Sequence, residues 1–393
     1  MAARQRDPRL DFFRGLGMFI ILVAHIPDNG WAQWIPARFG FSDATEIFVF
    51  CSGMASAVAF GRVFDAHGWL QGTARILHRC WQVYWAHIAC FLVVLGMLVA
   101  IDRAGGNSWY VDDLGLAPFF ADTARATEGL LRLSYVPNYF DILPMYLVIL
   151  AMVPLVMAAA RFGGPGAVAG LVLVVWGLAF LRLADLPAEP WSDRTWFFNP
   201  FAWQLVFFAG FAWMRGWLPV PVVDRRLVVA AAVIVVATIP FAWHRGFFTV
   251  PELREWNAWL APAIDKTHVG PLRFVHFLAV AYLAYVAVGP RGARLKGAVV
   301  DFIRRVGQQS LAVFLTGMVA AQFLGVVLDR IGRDVPQEAL VNLAGFAILA
   351  AAAWITAWFK APPWTGKPRV QPAQPAASTR TGAMPMLAGA NGP

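Results

Sequence analysis

The sequence predicts an all-α integral membrane protein: a bundle of about ten transmembrane helices with both termini cytoplasmic. Three observations predict it. Of the 393 residues, 59% are hydrophobic and 14% are charged, whereas a soluble domain carries about 25% charged residues. The apolar residues fall in blocks of helix length. The basic residues gather in alternate connections. A net charge of +9 therefore reports on topology and membrane lipid, and nucleic acid is not an expected partner.

The apolar windows, in order, are about 10–27, 45–63, 82–101, 142–160, 165–183, 198–215, 226–243, 272–289, 308–328 and 338–359. Each needs roughly 17–25 residues to cross a bilayer. The first is short, interrupted by Arg14, and lacks an A-x-A-like cleavage site, so it is expected to be an uncleaved helix packed among its neighbours. Segment 68–81, "GWLQGTARILHRCW", mixes polar and apolar residues and is expected at the interface. With the N-terminus inside and Arg14 left out, 19 of the 32 Lys/Arg fall on the cytoplasmic side and 12 opposite. The connection "GPRGARLKGAVVDFIRR" supplies five of the 19. The long connections, near 28–44, 102–141, 184–197 and 244–271, then lie outside. Residues 1–360 form the transmembrane domain. Residues 361–393, rich in Pro, Ala and Gly, are expected to be a disordered cytoplasmic tail. Cys51, Cys80 and Cys90 follow no metal or redox spacing and read as small packing residues, with no metal site expected.

Two ionisable residues stand out in "DFFRGLGMFIILVAHIP". Arg14 and His25 are eleven positions apart, which is 20° beyond three full turns, so they share a helix face roughly 16 Å apart along the axis. Such groups inside a membrane are costly, and function is the default hypothesis. Snorkelling of Arg14 to headgroups, and a His25 hydrogen bond to a carbonyl freed by Pro27, are the bland alternatives. Just downstream, Asp43 and Glu46 sit three apart at the start of the second helix. One of them is expected to hold an imidazole nitrogen of His25 and make the other a base; helix-dipole stabilisation is their plainer reading.

The R-x10-H of "RLDFFRGLGMFIILVAH", followed by "SDATEIFVFCSGM", resembles the membrane acyltransferase-3 superfamily, and within it the OpgC family, which succinylates periplasmic glucans. "VPNYFDILPMYLVIL", "FNPFAWQLVFFAGF", "GPLRFVHFLAVAYL" and "GQQSLAVFLTGM" extend the likeness over about residues 8–360. The resemblance implies a protein of the bacterial inner membrane. It would pass an acyl group, succinyl with acetyl as the rival, from cytoplasmic acyl-CoA to a glucan acceptor. Acyl-CoA would be a donor substrate rather than a resident cofactor. His25 takes the place of the family's catalytic base and Arg14 that of its donor-site arginine. The superfamily run "D-x-F-F-V-x-S-G" is "TEIFVFCSG" here, which leaves open whether Asp43 or Glu46 supports the base.

On that reading Arg14 grips the phosphates of CoA, with Arg75, Arg79, Arg304 and Arg305 as further candidates whose plainer role is setting topology. Ser52, Gln308 and Gln309 are candidate oxyanion donors. Asn138, Asp141, Trp196, Asn199, Trp203, Gln204, His268 and His276 are candidate acceptor-binding residues; Lys266 joins His268 as a possible partner for a carboxylate. An aromatic belt at the membrane edge is the competing explanation for the tryptophans. A transporter or exporter of glucan or another small polar solute is the alternative function, although neither matching broken helices nor repeated halves support it. A haem carrier would need facing histidines such as His25 with His276 or His87.

Overall fold

The computed structural model describes residues 7–243 and 249–361. The expected tail, 362–393, lies outside the described residues. Of the described residues 79% are helical, and none lies in a β-strand. The main helices are α1 (Pro8–His25), α2 (Ala44–Ser56), α3 (Arg62–Gly105), α4 (Ile142–Phe180), α5 (Pro200–Arg215), α6 (Arg225–Ala242), α7 (Pro251–Ile264), α8 (Pro271–Val288), α9 (Ala298–Gln308), α10 (Ser310–Ile331) and α11 (Val335–Lys360). Three short helices between Trp109 and Arg132 fill the connection before α4.

Six helical runs are long and apolar enough to cross a membrane: Ala44–Gly105, Ile142–Phe180, Arg225–Ala242, Pro271–Val288, Ser310–Ile331 and Val335–Lys360. They mark a multi-pass membrane protein. Two of them are broken by glycine. Gly68 (φ 80°, ψ 179°) interrupts the first, and Gly164 (φ 67°, ψ −167°) the second. Both conformations are open to glycine and strained for other residues. Pro165 follows Gly164 and starts the second half of α4 with the preset φ that suits a first turn.

Segment 68–81 is helical and belongs to α3, which continues from it to Gly105 with no break beyond Gly68. Helices α1 and α5, which cover two of the expected spans, are not among these six. Helix α1 carries Arg9, Asp11 and Arg14, and α5 is only 16 residues long. Both are interior helices. Trp203, Phe207, Phe208 and Phe211 of α5 are among the largest fully buried side chains, so this helix packs on protein over most of its surface.

Glycines set the two closest crossings. A side chain on Gly53 of α2 would collide with the backbone of Phe207, and one on Gly210 of α5 with the backbone of Phe50. Gly15 of α1 and Gly307 of α9 meet the backbone of Ile303 and Asp11 in the same way. Membrane helices gain from such close approach because packing must supply what the hydrophobic effect cannot. Gly210→Val is expected to destabilise the protein by about 1–3 kcal/mol, read as a lower melting temperature in detergent. Gly170→Val, with no atom within 4 Å of its Cβ position, is the control; equal melting of the two would refute the crossing.

Helix α10 lies parallel to α1. Arg14 donates to the Ser310 hydroxyl at one end, and Gly325 sits against Pro27 at the other. A buried amide pair, Asn29 with Asn342, ties the end of α1 to α11 by reciprocal bonds of 2.9 and 3.0 Å.

Candidate active site

At the end where α1 finishes, α2, α4 and α8 begin, and each contributes a polar side chain. His25 closes α1. Asp43 and Glu46 start α2, where Asp43 accepts from the Thr45 amide at 2.6 Å and Glu46 accepts from the Asp43 amide at 2.8 Å. This reciprocal box uses donors that every helix start leaves unmet. Tyr139 and Asp141 precede α4; Lys266 precedes α8, which carries Arg273.

Lys266 Nζ bonds Asp43 at 2.5 Å, and Arg273 Nη1 bonds Glu46 at 2.7 Å. Both carboxylates are thereby committed to cations. The His25 imidazole has no hydrogen-bond partner among the described residues, although Lys266 and Asp43 are its charged neighbours. The expectation that Asp43 or Glu46 bonds the imidazole is therefore corrected. Two cations from the α8 region reach those carboxylates first, and a charge-assisted bond outcompetes one to a neutral ring. Burial alone would raise the Asp43 carboxyl, but Lys266 and Arg273 hold it well below the usual carboxylate range.

What His25 does touch is Tyr139. The rings meet edge to face, 5.1 Å between centroids at 84°. His25 also lines a narrow cavity of about 10 Å³ in the α1–α10 seam, with Met18 and Leu22 facing Val313, Gly317 and Met318. Arg14, bonded to Ser310, looks onto the same seam. The two residues thus share the α10-facing side of α1.

The family model described as "OpgC protein" matches residues 6–361. The chain belongs to the OpgC family. Membership implies a glucan-modifying transferase and suggests a role in osmoregulated periplasmic glucan modification. No curated protein matches the chain, and no solved structure does.

Other residues of this OpgC-family chain divide between the site and its scaffold. Trp203 is buried in α5 and donates Nε1 to the Lys266 carbonyl at 3.0 Å, so it fixes the backbone that carries the cation. Asp141 is buried beside Lys266 at the start of α4. The remaining candidates have protein partners. Asn199 caps α5 and binds Ala184 and Asp185, both at 2.7 Å. His268 is held between Asp265 (2.7 Å) and Asp185 (2.9 Å). Trp196 donates to Pro187, Gln204 to Val172, and Asn138 accepts from Arg194. His276 Nδ1 accepts from the Ser42 amide at 3.2 Å and lies 2.8 Å from its hydroxyl.

At the Arg14 end, Gln308 donates to Asp11 and Gln309 accepts from Lys360. Both are remote from His25 along the seam, which corrects their assignment as oxyanion donors; Ser52 is buried in α2. Arg75 is exposed, Arg79 bonds Gln82, Arg304 bonds Asp301, and Arg305 stacks over Trp354. Cys51, Cys80 and Cys90 are free thiols. The residues that local reading missed are Arg273, Ser310 and the ring contact of Tyr139. "PLRFVHF" offered one signal, an arginine two positions after the proline of a helix start.

Burial pushes the Asp141 carboxyl from its ordinary 3.8 up to about 7. Between those values the folded chain binds more protons than the unfolded one, so this contribution is fully present below about pH 3.8 and is lost as pH rises through about 7. Asp141→Asn is expected to flatten that decline. Melting temperatures of both proteins across this range check it; parallel declines would refute the assignment.

Proposed function

We propose that this protein is a membrane O-acyltransferase that moves a succinyl group from acyl-CoA to a hydroxyl of a periplasmic glucan, with His25 as general base. One observation carries the reading: Arg14 and His25 occupy the same side of a single interior helix, roughly 16 Å apart along its axis, both turned to the α10 seam. In the proposed arrangement ten spans place both termini in the cytoplasm of the inner membrane, and the basic connections support that orientation. Arg14 then meets the CoA phosphates while the thioester reaches His25.

The His25 imidazole takes the proton of a glucan hydroxyl as its oxygen attacks the thioester carbonyl. The tetrahedral intermediate collapses, the C–S bond breaks, and the leaving thiolate of CoA takes the proton back from the imidazolium. Lys266 stands beside His25 and offers a positive charge to the developing oxyanion. The cavity at His25 holds only about 10 Å³, so α10 must part from α1 to admit the acyl arm.

The test is proteoliposomes given labelled succinyl-CoA or acetyl-CoA with glucan. Free CoA and a succinyl ester, identified by mass spectrometry, are expected. Glucan crossing the bilayer without an acyl donor, and no ester formed, would replace this reading with transport.

A further inference from the structure

Tyr139 has φ 85°. Positive φ is an outlier for a bulky residue, and it persists only where surroundings over-determine the conformation, commonly at functional sites. Here the surroundings are identifiable. The Tyr139 hydroxyl donates to the Met318 carbonyl of α10 at 2.5 Å, and the Gln322 side chain is a second partner. The ring so anchored presents itself edge to face against His25. No hydrogen bond to a described residue orients that imidazole, and the nearby carboxylates are taken by Lys266 and Arg273. The aromatic contact is what remains to orient it.

We propose that Tyr139 is the positioning residue for His25: a strained backbone and a hydroxyl anchored on α10 hold its ring so that the imidazole keeps one orientation. The proposal rests on the reading of His25 as base, and its mechanism is geometric. A general base is useful only while it points at the proton it removes. Tyr139 also links the start of α4 to α10, so parting of the α1–α10 seam and release of His25 become one event.

The experiment compares Tyr139→Phe, Tyr139→Leu and Tyr139→Gly in full-length protein. Succinyl transfer is one readout. The other is the rate at which diethyl pyrocarbonate modifies His25, resolved by mass spectrometry of the peptide that contains it. Tyr139→Leu is expected to lower kcat by about 100-fold, the scale of a misplacement near 1 Å, with KM for succinyl-CoA nearly unchanged. Tyr139→Phe keeps the ring and retains most of kcat. His25 reacts faster in Tyr139→Leu than in wild type. Tyr139→Gly relieves the backbone, so it melts at or above the temperature of Tyr139→Leu while being as slow; this guards against reading misfolding as lost orientation. Wild-type kcat and wild-type His25 reactivity in Tyr139→Leu would overturn the proposal. If wild-type protein transfers no acyl group, the function reading fails, and the reactivity comparison still decides whether Tyr139 holds His25.

Discussion

His25→Ala is expected to lower acyl transfer by about 10²–10⁴-fold, the usual worth of a general base, while the bundle stays folded. The side chain gives up no hydrogen bond to a described residue and one ring contact with Tyr139. Such an aromatic pair contributes about 0.5–1.5 kcal/mol beyond the area it buries. That is small beside the packing of α1 against α2, α9 and α10. The loss should therefore appear in kcat and leave the melting temperature nearly unchanged. His25→Gln, which keeps polarity without a usable base, should be as slow as alanine. Turnover at the wild-type rate by the alanine variant would remove His25 from the mechanism.

Glu46→Ala should be the most destabilising single change at the site, by about 3–5 kcal/mol. Its side chain is fully buried and bonds Arg273, itself 12% exposed. Removing the carboxylate strands a guanidinium that burial has already stripped of water, and it also removes one arm of the cap that starts α2. The cost belongs mostly to the stranded charge rather than to the lost attraction. The double variant Glu46→Ala/Arg273→Met should therefore recover much of the stability. Thermal melting in detergent measures both. A double variant no better than Glu46→Ala would show that the cap, not the ion pair, bears the load.

Periodicity and composition were sufficient for much of the architecture. Each of the ten apolar windows falls on helix over most of its length, and the shared face of Arg14 and His25 follows from 3.6 residues per turn. The limits show at particular residues. Hydropathy cannot tell a helix bathed in lipid from one wrapped by protein, so α5 reads as an ordinary span although it is interior, whereas the short, Arg14-interrupted α1 is expected among its neighbours and is packed there. Segment 68–81 mixes polar and apolar residues, and local reading does not show that its helix and the apolar span after it form one run to Gly105.

The candidate site divides along the same line. Helix geometry within one segment is short-range, and it suffices to align Arg14 with His25 and to place Asp43 and Glu46 together at a cap. Which partner each side chain takes is a long-range matter. Lys266 lies 223 positions from Asp43, Arg273 lies 227 from Glu46, and Ser310 lies 296 from Arg14. No local pattern encodes those distances. Only the packed bundle brings these elements together, and once it does, opposite charges pair and leave the imidazole to an aromatic ring.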